Sequence, residues 1–320
     1  MAGDVDVRKI QRVGSSSLVV TIPKAWAQRL GLEQGATVLL YDEGDSIRIV
    51  PAVRREAGTV HVDLRRAPGI LGLSAPVCSY LSGMDRVRVS LPPGASVVEV
   101  KRRALGFMGM HIYEAGDNTI VIETLLDMER VDPDSLIKSL GSAASRLIEY
   151  LAETLRTGGD GESVDRAEFA RQDLMRTLYV VLRSLFAQAP RSESRRDVVL
   201  KLMSASYVSL AIETLTTTTP LLRLARNMPP RDREILQEVL AEIGQEINLL
   251  LHIIPNPSAK RLAELITMLR QTGDKTIARI AEAESPLAGA ALGKLHDAVR
   301  IITLSSYTTL CRILASIATP

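Results

Sequence analysis

The sequence predicts a multidomain α+β chain: a β-rich head, a small α/β connector and an all-helical body. Three observations lead there. β-branched runs broken by glycine and proline crowd residues 1–52, and strand-like and helix-like runs alternate over 53–128. From Asp132 onward apolar residues recur at helical spacing between proline and glycine stops. With 320 residues and 46% hydrophobic content, the chain is long enough for two or three domains with real cores.

The net charge of +2 hides how the charges are spread. Residues 1–52 hold six Lys/Arg and six Asp/Glu, residues 53–127 nine and eight, and residues 128–320 24 and 23. Yet the run from Val7 to Gly31 carries Arg8, Lys9, Arg12, Lys24 and Arg29 and no acid, while Asp42, Glu43 and Asp45 collect later. A small domain built from this segment would be positive on one face and negative on another. Cys78 and Cys311 are too few and too far apart for a disulfide framework or a zinc cluster, which suits a reducing, cytoplasmic setting. The start Met1-Ala2-Gly3-Asp4 lacks the pattern of a secretion signal, and no uncharged apolar run reaches membrane-spanning length.

In the head, Val7 to Gly14 leads through Ser15-Ser16-Ser17 into the β-branched run Leu18 to Ile22, which Pro23 stops. Ala25 to Leu30 reads as a short helix capped by Gly31. Thr37 to Tyr41 and Ser46 to Val50 are strands joined by Asp42-Glu43-Gly44-Asp45. So small a sheet cannot bury both faces alone, and dimerisation is the natural remedy.

In the connector, strands are expected at Thr59 to Asp63 and Arg86 to Leu91, with a short helix at Ala75 to Leu81. Ser96-Val97-Val98-Glu99 is a capping box for a helix running to Leu105, and strands at His111 to Glu114 and Thr119 to Glu123 flank Gly116-Asp117-Asn118. The basic pairs Arg54-Arg55 and Arg65-Arg66 and the triplet Lys101-Arg102-Arg103 read first as a solvated face, since acids are interspersed.

The body divides into two sets of three helices, about 132–228 and 229–320. Asp132-Pro133-Asp134 opens the first helix and Gly158-Gly159-Asp160-Gly161 ends it; Ser163 starts the second, and the third runs from about Ser194 to Asn227 with a kink at Pro220. After Met228-Pro229-Pro230 come Arg231 to Ile254, Ser258 to Glu284 and Leu287 to Ala318. Ser206-Tyr207-Val208-Ser209-Leu210 echoes Ser306-Tyr307-Thr308-Thr309-Leu310 at an offset of 100, as a duplicated unit would.

The head resembles the AbrB-type, MazE-like (SpoVT-AbrB) DNA-binding domains through Val13 to Ser17, Val20-Thr21-Ile22-Pro23-Lys24, Leu30-Gly31-Leu32, Gly35 and Ile47-Arg48-Ile49. That resemblance implies a homodimeric swapped-hairpin β-barrel with its basic first loop and strand on DNA. It assigns Arg8, Lys9, Gln11, Arg12, Ser15, Ser16, Ser17 and Lys24 to the DNA-facing surface, with Gln11 and Arg12 the ones to reach base edges. Serines follow Gly14 where many relatives carry an arginine. The alternative is that the basic residues are an ordinary solvated face and the head serves only to dimerise.

Two repeats of three helices, with Asp173 to Tyr179 and Ala211 to Leu215, resemble the PhoU-like family of phosphate-uptake regulators. Together with Tyr80 to Asp85, the whole chain is similar to archaeal-type regulators that fuse both parts. Members of that family carry Glu-x-x-x-Asp pairs that hold metal ions. Here the aligned positions are Gln172 and Arg176, then Glu213 and Thr217, an eroded set from which no metal or other cofactor is expected. The threonines around Pro220 are read as back-bonding to helix carbonyls rather than as a phosphate cradle.

No phosphate loop, nucleophile elbow, His pair or carboxylate dyad suggests an enzyme. The expectation is a dimeric, DNA-binding regulator, of phosphate uptake by the resemblance, whose helical part senses or binds a partner. The alternative is an adaptor that docks on a phosphate transporter or sensor kinase; an antitoxin is suggested by the head alone.

Overall fold

The computed structural model describes residues 5–44, 46–52, 59–66, 69–116, 118–190, 192 and 194–318. Asp4, Asp45, Arg54-Arg55 and Asp117 lie outside them. The chain divides into two compact units, Met1–Gly58 and Thr59–Pro320. The second takes in both the connector and the helical body.

The first unit consists of two hairpins and a helix. β1 (Gln11–Val13) pairs antiparallel with β2 (Ser17–Val19), and β3 (Val38–Asp42) with β4 (Ile47–Pro51). Between them α1 (Lys24–Leu30) is closed by Gly31, whose φ of 67° is one that other residues rarely adopt. The hairpins form two separate two-stranded sheets, and among the described residues of one chain they close no barrel.

In the second unit, β5 (Val60–Asp63), β6 (Arg86–Ser90), β7 (Met110–Glu114) and β8 (Thr119–Thr124) form one sheet in the order β5-β6-β8-β7. β5 runs parallel to β6 and the other pairs are antiparallel. β6 alternates strictly: Val87 and Val89 enter the core with Ile120, Ile122 and Val100, while Arg86 and Arg88 point to water. α2 (Gly69–Leu81) starts earlier than its sequence suggests and carries Pro76 inside it. α3 (Val97–Ala104) begins as expected, the Ser96 hydroxyl accepting the Glu99 amide at 3.3 Å.

Six long helices follow: α4 (Pro133–Arg156), α5 (Gly161–Gln188), α6 (Arg195–Thr216), then past the short α7 (Thr219–Leu222), α8 (Pro230–Ile253), α9 (Ala259–Glu282) and α10 (Pro286–Ala318). Asp132, Asp160, Ser194 and Ser258 cap their helices with side-chain oxygens. Two boundaries differ from expectation. α5 begins at Gly161 because Asp160, not Ser163, is its cap. α6 ends at Thr216 instead of kinking at Pro220: Thr214, Thr216, Thr217 and Thr218 donate back to carbonyls three or four residues earlier, and Pro220 opens α7.

The six helices close a ring. α4 packs on α5 and α8, α9 on α8 and α10, and α6 on α10 and α5, so the first helices of the two halves pair and so do the third. Burial along α6 from Val198 to Ile212 repeats residue for residue along α10 from Val299 to Ile313, an offset of 101. Ser204 and Ser305 are equivalent by that offset and touch each other, the Ser305 hydroxyl donating to the Ser204 carbonyl at 2.9 Å. A local two-fold axis therefore passes between them. The echo at an offset of 100 is one residue out of step with the packing, and leaves Tyr207 half-buried but Tyr307 exposed.

The turn after α4 is tightly constrained. Gly159, at φ 86°, would bring a Cβ against the backbone of Leu222 and Arg223. Gly159→Ala should lower stability by about 1–3 kcal/mol in urea unfolding, and a neutral substitution would show that the turn relaxes freely.

Candidate nucleic-acid interface

The first hairpin concentrates unpaired positive charge. The β1–β2 ribbon turns through Gly14-Ser15-Ser16, where Gly14 takes φ 69° with open space around it, and Arg8, Lys9, Gln11, Arg12, Ser15, Ser16, Ser17 and Lys24 are all exposed. Arg8 reaches back to Asp6 at 2.7 Å. Among the described residues Lys9, Arg12 and Lys24 have no ion-pair partner, so their charge is available to a phosphate.

Strand geometry separates two residues that the sequence puts side by side. Arg12 pairs with Leu18 across the ribbon and Gln11 with Val19, so adjacent positions point to opposite faces. One face of the ribbon can present Arg12 or Gln11 to a groove, not both.

The second hairpin is electrostatically quenched. Arg48 lies opposite Tyr41, with its guanidinium 4.1 Å from the ring centre, and pairs with Glu43 at 2.6 Å. The cations of this unit without an ion-pair partner among the described residues therefore lie on and beside the first hairpin, not on this one.

No described residue of this unit is buried, although Leu18, Val20, Ile22, Leu40, Ile47 and Ile49 are all apolar and open; Ile47 is 74% exposed. A two-stranded hairpin with its apolar side chains in water is only marginally stable by itself.

This stretch has a known counterpart. Residues 11–57 match the family of antidote-toxin recognition MazE, a bacterial antitoxin. The MazE-like match takes in both hairpins and α1, and it fits a regulatory, DNA-binding domain at that level. No curated protein and no solved structure matches the chain.

The remaining sequence-derived candidates lie in the second unit and are engaged by the protein itself. The Gln172 amide donates to Glu168 at 2.9 Å, Arg176 to the Leu105 carbonyl at 2.8 Å, and the Thr217 hydroxyl to the Thr214 carbonyl at 2.6 Å. Glu213 pairs with Arg171 of α5 at 3.0 Å. Arg171 also pairs with Glu168, whose carboxyl it holds below the usual carboxylate range. Arg176 thus holds the connector to the bundle. Among the described residues no group of three His, Cys, Asp or Glu is placed to share a metal ion. Of the basic pairs, Arg65 is bound to Asp63 at 2.6 Å and drives that carboxyl down to about 2, and Lys101 is bound to Glu114 at 2.8 Å.

Two residues that sequence reading passed over have the most unusual surroundings. Arg183 of α5 is fully buried, and Glu246 of α8 is fully buried with neither carboxylate oxygen in a well-formed hydrogen bond, Thr272 being close enough for a weak one only. Glu246 recurs at core spacing with Val239, Ile243 and Leu250, a signal that a polar letter obscures.

Proposed function

We propose that this protein is a homodimeric, DNA-binding transcriptional regulator whose MazE-like unit assembles from the hairpins of two chains. The observation that carries the reading is the pairing of an unburied apolar surface with spare cations on the first hairpin and at the start of α1. A second copy covers the first and completes the swapped-hairpin barrel, and phosphates neutralise the second. Arg8, Lys9, Arg12 and Lys24 position the duplex. The Ser15 to Ser17 loop adds hydroxyl and amide contacts to the backbone, and Arg12 or Gln11 reaches base edges.

The six-helix body is proposed to be PhoU-like and to sense phosphate status or bind a partner component of phosphate uptake. Its support is the pairing of first with first and third with third helices across a local two-fold axis.

Arg12→Ala tests the interface. Each dimer loses two phosphate-facing cations, so affinity for duplex DNA should fall about 10-fold or more and the log–log salt slope should shrink by about 2. Unchanged affinity and slope would contradict the interface. A dimer that binds no DNA fragment at low salt would favour the adaptor reading instead.

A further inference from the structure

We infer that the open face of the four-stranded sheet, β5-β6-β8-β7, is a second surface for DNA phosphates, separate from the first hairpin. The inference rests on the reading of the chain as a DNA-binding protein, but not on the first hairpin being the surface that binds.

The helices of this region cover one side of the sheet. Ala75 of α2 and Val100 and Ala104 of α3 share a core with Val87, Val89, Ile112, Ile120 and Ile122. Strand alternation sends the residues between these to the opposite side. There the strand registers build two rows across the sheet. His61, Arg88, Val121 and Tyr113 stand side by side in one, and Arg86, Glu123 and His111 in the next. Arg86, Arg88, His61 and His111 are all exposed. Two of the four histidines of the chain therefore share one face with two arginines.

The acids on this face are already matched. Asp63, one row further on, is held by Arg65 at 2.6 Å, and Glu123 has Arg86 at 3.8 Å. The Arg86 guanidinium also donates to the Tyr113 hydroxyl at 2.8 Å, which fixes its position over the sheet. Arg88 is different. It lies on a central strand, directly across from His61, and among the described residues it has no ion-pair partner.

Two physical arguments mark the occupant as nucleic acid. A protein partner would need an apolar centre to bury, and the one aliphatic side chain in these rows, Val121, is only 4% exposed. Protein–DNA contacts are instead polar and positively charged, as this face is. Four strands also make a face about 14 Å across, wider than the ~12 Å major groove. It therefore meets the sugar–phosphate backbone and adds affinity without reading sequence.

The test is the affinity of the full-length protein for duplex DNA. It is measured against salt for Arg88→Gln and Arg88→Lys, and against pH for the parent and the double variant His61→Gln/His111→Gln. Arg88→Gln should lower affinity at least ~3-fold and reduce the log–log salt slope by about 1–2, while Arg88→Lys keeps the parent slope. Histidine gains charge between pH 8 and pH 5.5, whereas arginine and lysine do not change, and the first unit contains no histidine. Parent affinity should therefore rise ~10-fold or more over that range, and the double variant should lose most of the rise. An unchanged slope in Arg88→Gln, an equal loss in Arg88→Lys, or a pH response that survives the double variant would overturn the inference, even where Arg12→Ala weakens binding. A loss in Arg88→Gln with none in Arg12→Ala would uphold this face and remove the first hairpin. A parent protein that binds no duplex would overturn both.

Discussion

Arg183→Ala is expected to destabilise the second unit by about 2–4 kcal/mol, because it empties the space of a fully buried side chain and leaves the Tyr80 and Met84 carbonyls without their donor, while the Asp85 carboxylate, 40% exposed, can turn to water. The guanidinium is fully buried where α5 meets the connector. Its Nη1 donates to the carbonyls of Tyr80 at 2.8 Å and Met84 at 3.2 Å, and its Nη2 to Asp85 Oδ1 at 2.7 Å. It also lies 5.1 Å from the centre of the Tyr80 ring, whose hydroxyl donates to the Met108 carbonyl and is pushed up to about 12 by burial. Phe107 stacks between Tyr80 and Tyr179, with centroids 5.0 and 4.9 Å away, and extends the same joint. Arg183→Lys should recover little, since an ammonium cannot span three acceptors in the planar fork that guanidinium supplies. Urea unfolding followed by circular dichroism gives the magnitude, and a loss below about 1 kcal/mol would show that the joint is held by its apolar contacts alone.

Glu246→Gln is expected to change how stability depends on pH. Burial raises the Glu246 carboxyl to about 7, Glu242 one turn away adds to the shift, and Thr272 opposes it. Glu242 is itself held by Lys275 at 2.6 Å, so that cation is already taken. The folded value lies above the unfolded one, so the folded state keeps a proton that the unfolded state gives up. The contribution to stability is complete below about pH 4.3 and is lost as pH rises to and through about 7. The parent should therefore lose ~3 kcal/mol more than Glu246→Gln between pH 4 and pH 8. Parallel pH profiles of the two proteins would show that Glu246 ionises freely.

The origin of that carboxyl can be read from the pairing of the two halves. Burial along α4 recurs along α8 at an offset of 99, which sets Glu246 against Leu147. One half fills the position with leucine and the other with a carboxylic acid that water does not reach.

Most of the architecture was legible because proline, glycine and capping residues punctuate it. Asp132, Ser96, Ser194 and Ser258 each start a helix for the reason their side chains suggest, an oxygen aimed at a free amide. The β-hairpins of the head were legible from β-branched runs and the turn glycines. What stayed hidden depends on partners far away in sequence. Arg183 reads as one charge inside an apolar run until Tyr80, Met84 and Asp85 close around it, about 100 residues away. The true register of the third helices is set by Ser204 against Ser305 and not by the similarity of letters. At the interface, residue types named the basic hairpin, but only the strand pairing sends Gln11 and Arg12 to opposite faces and only side-chain contacts show that Arg48 is spent on Glu43 and Tyr41.

The central claim is that the first hairpin of the MazE-like unit neutralises DNA phosphates in a dimer. Its most direct test is the affinity of the full-length protein for duplex DNA between 50 and 300 mM salt. The account predicts a log–log slope of about −4 or steeper, from at least two phosphate-facing cations per chain. A slope near zero, or binding by a protein that sediments as a monomer, would contradict it.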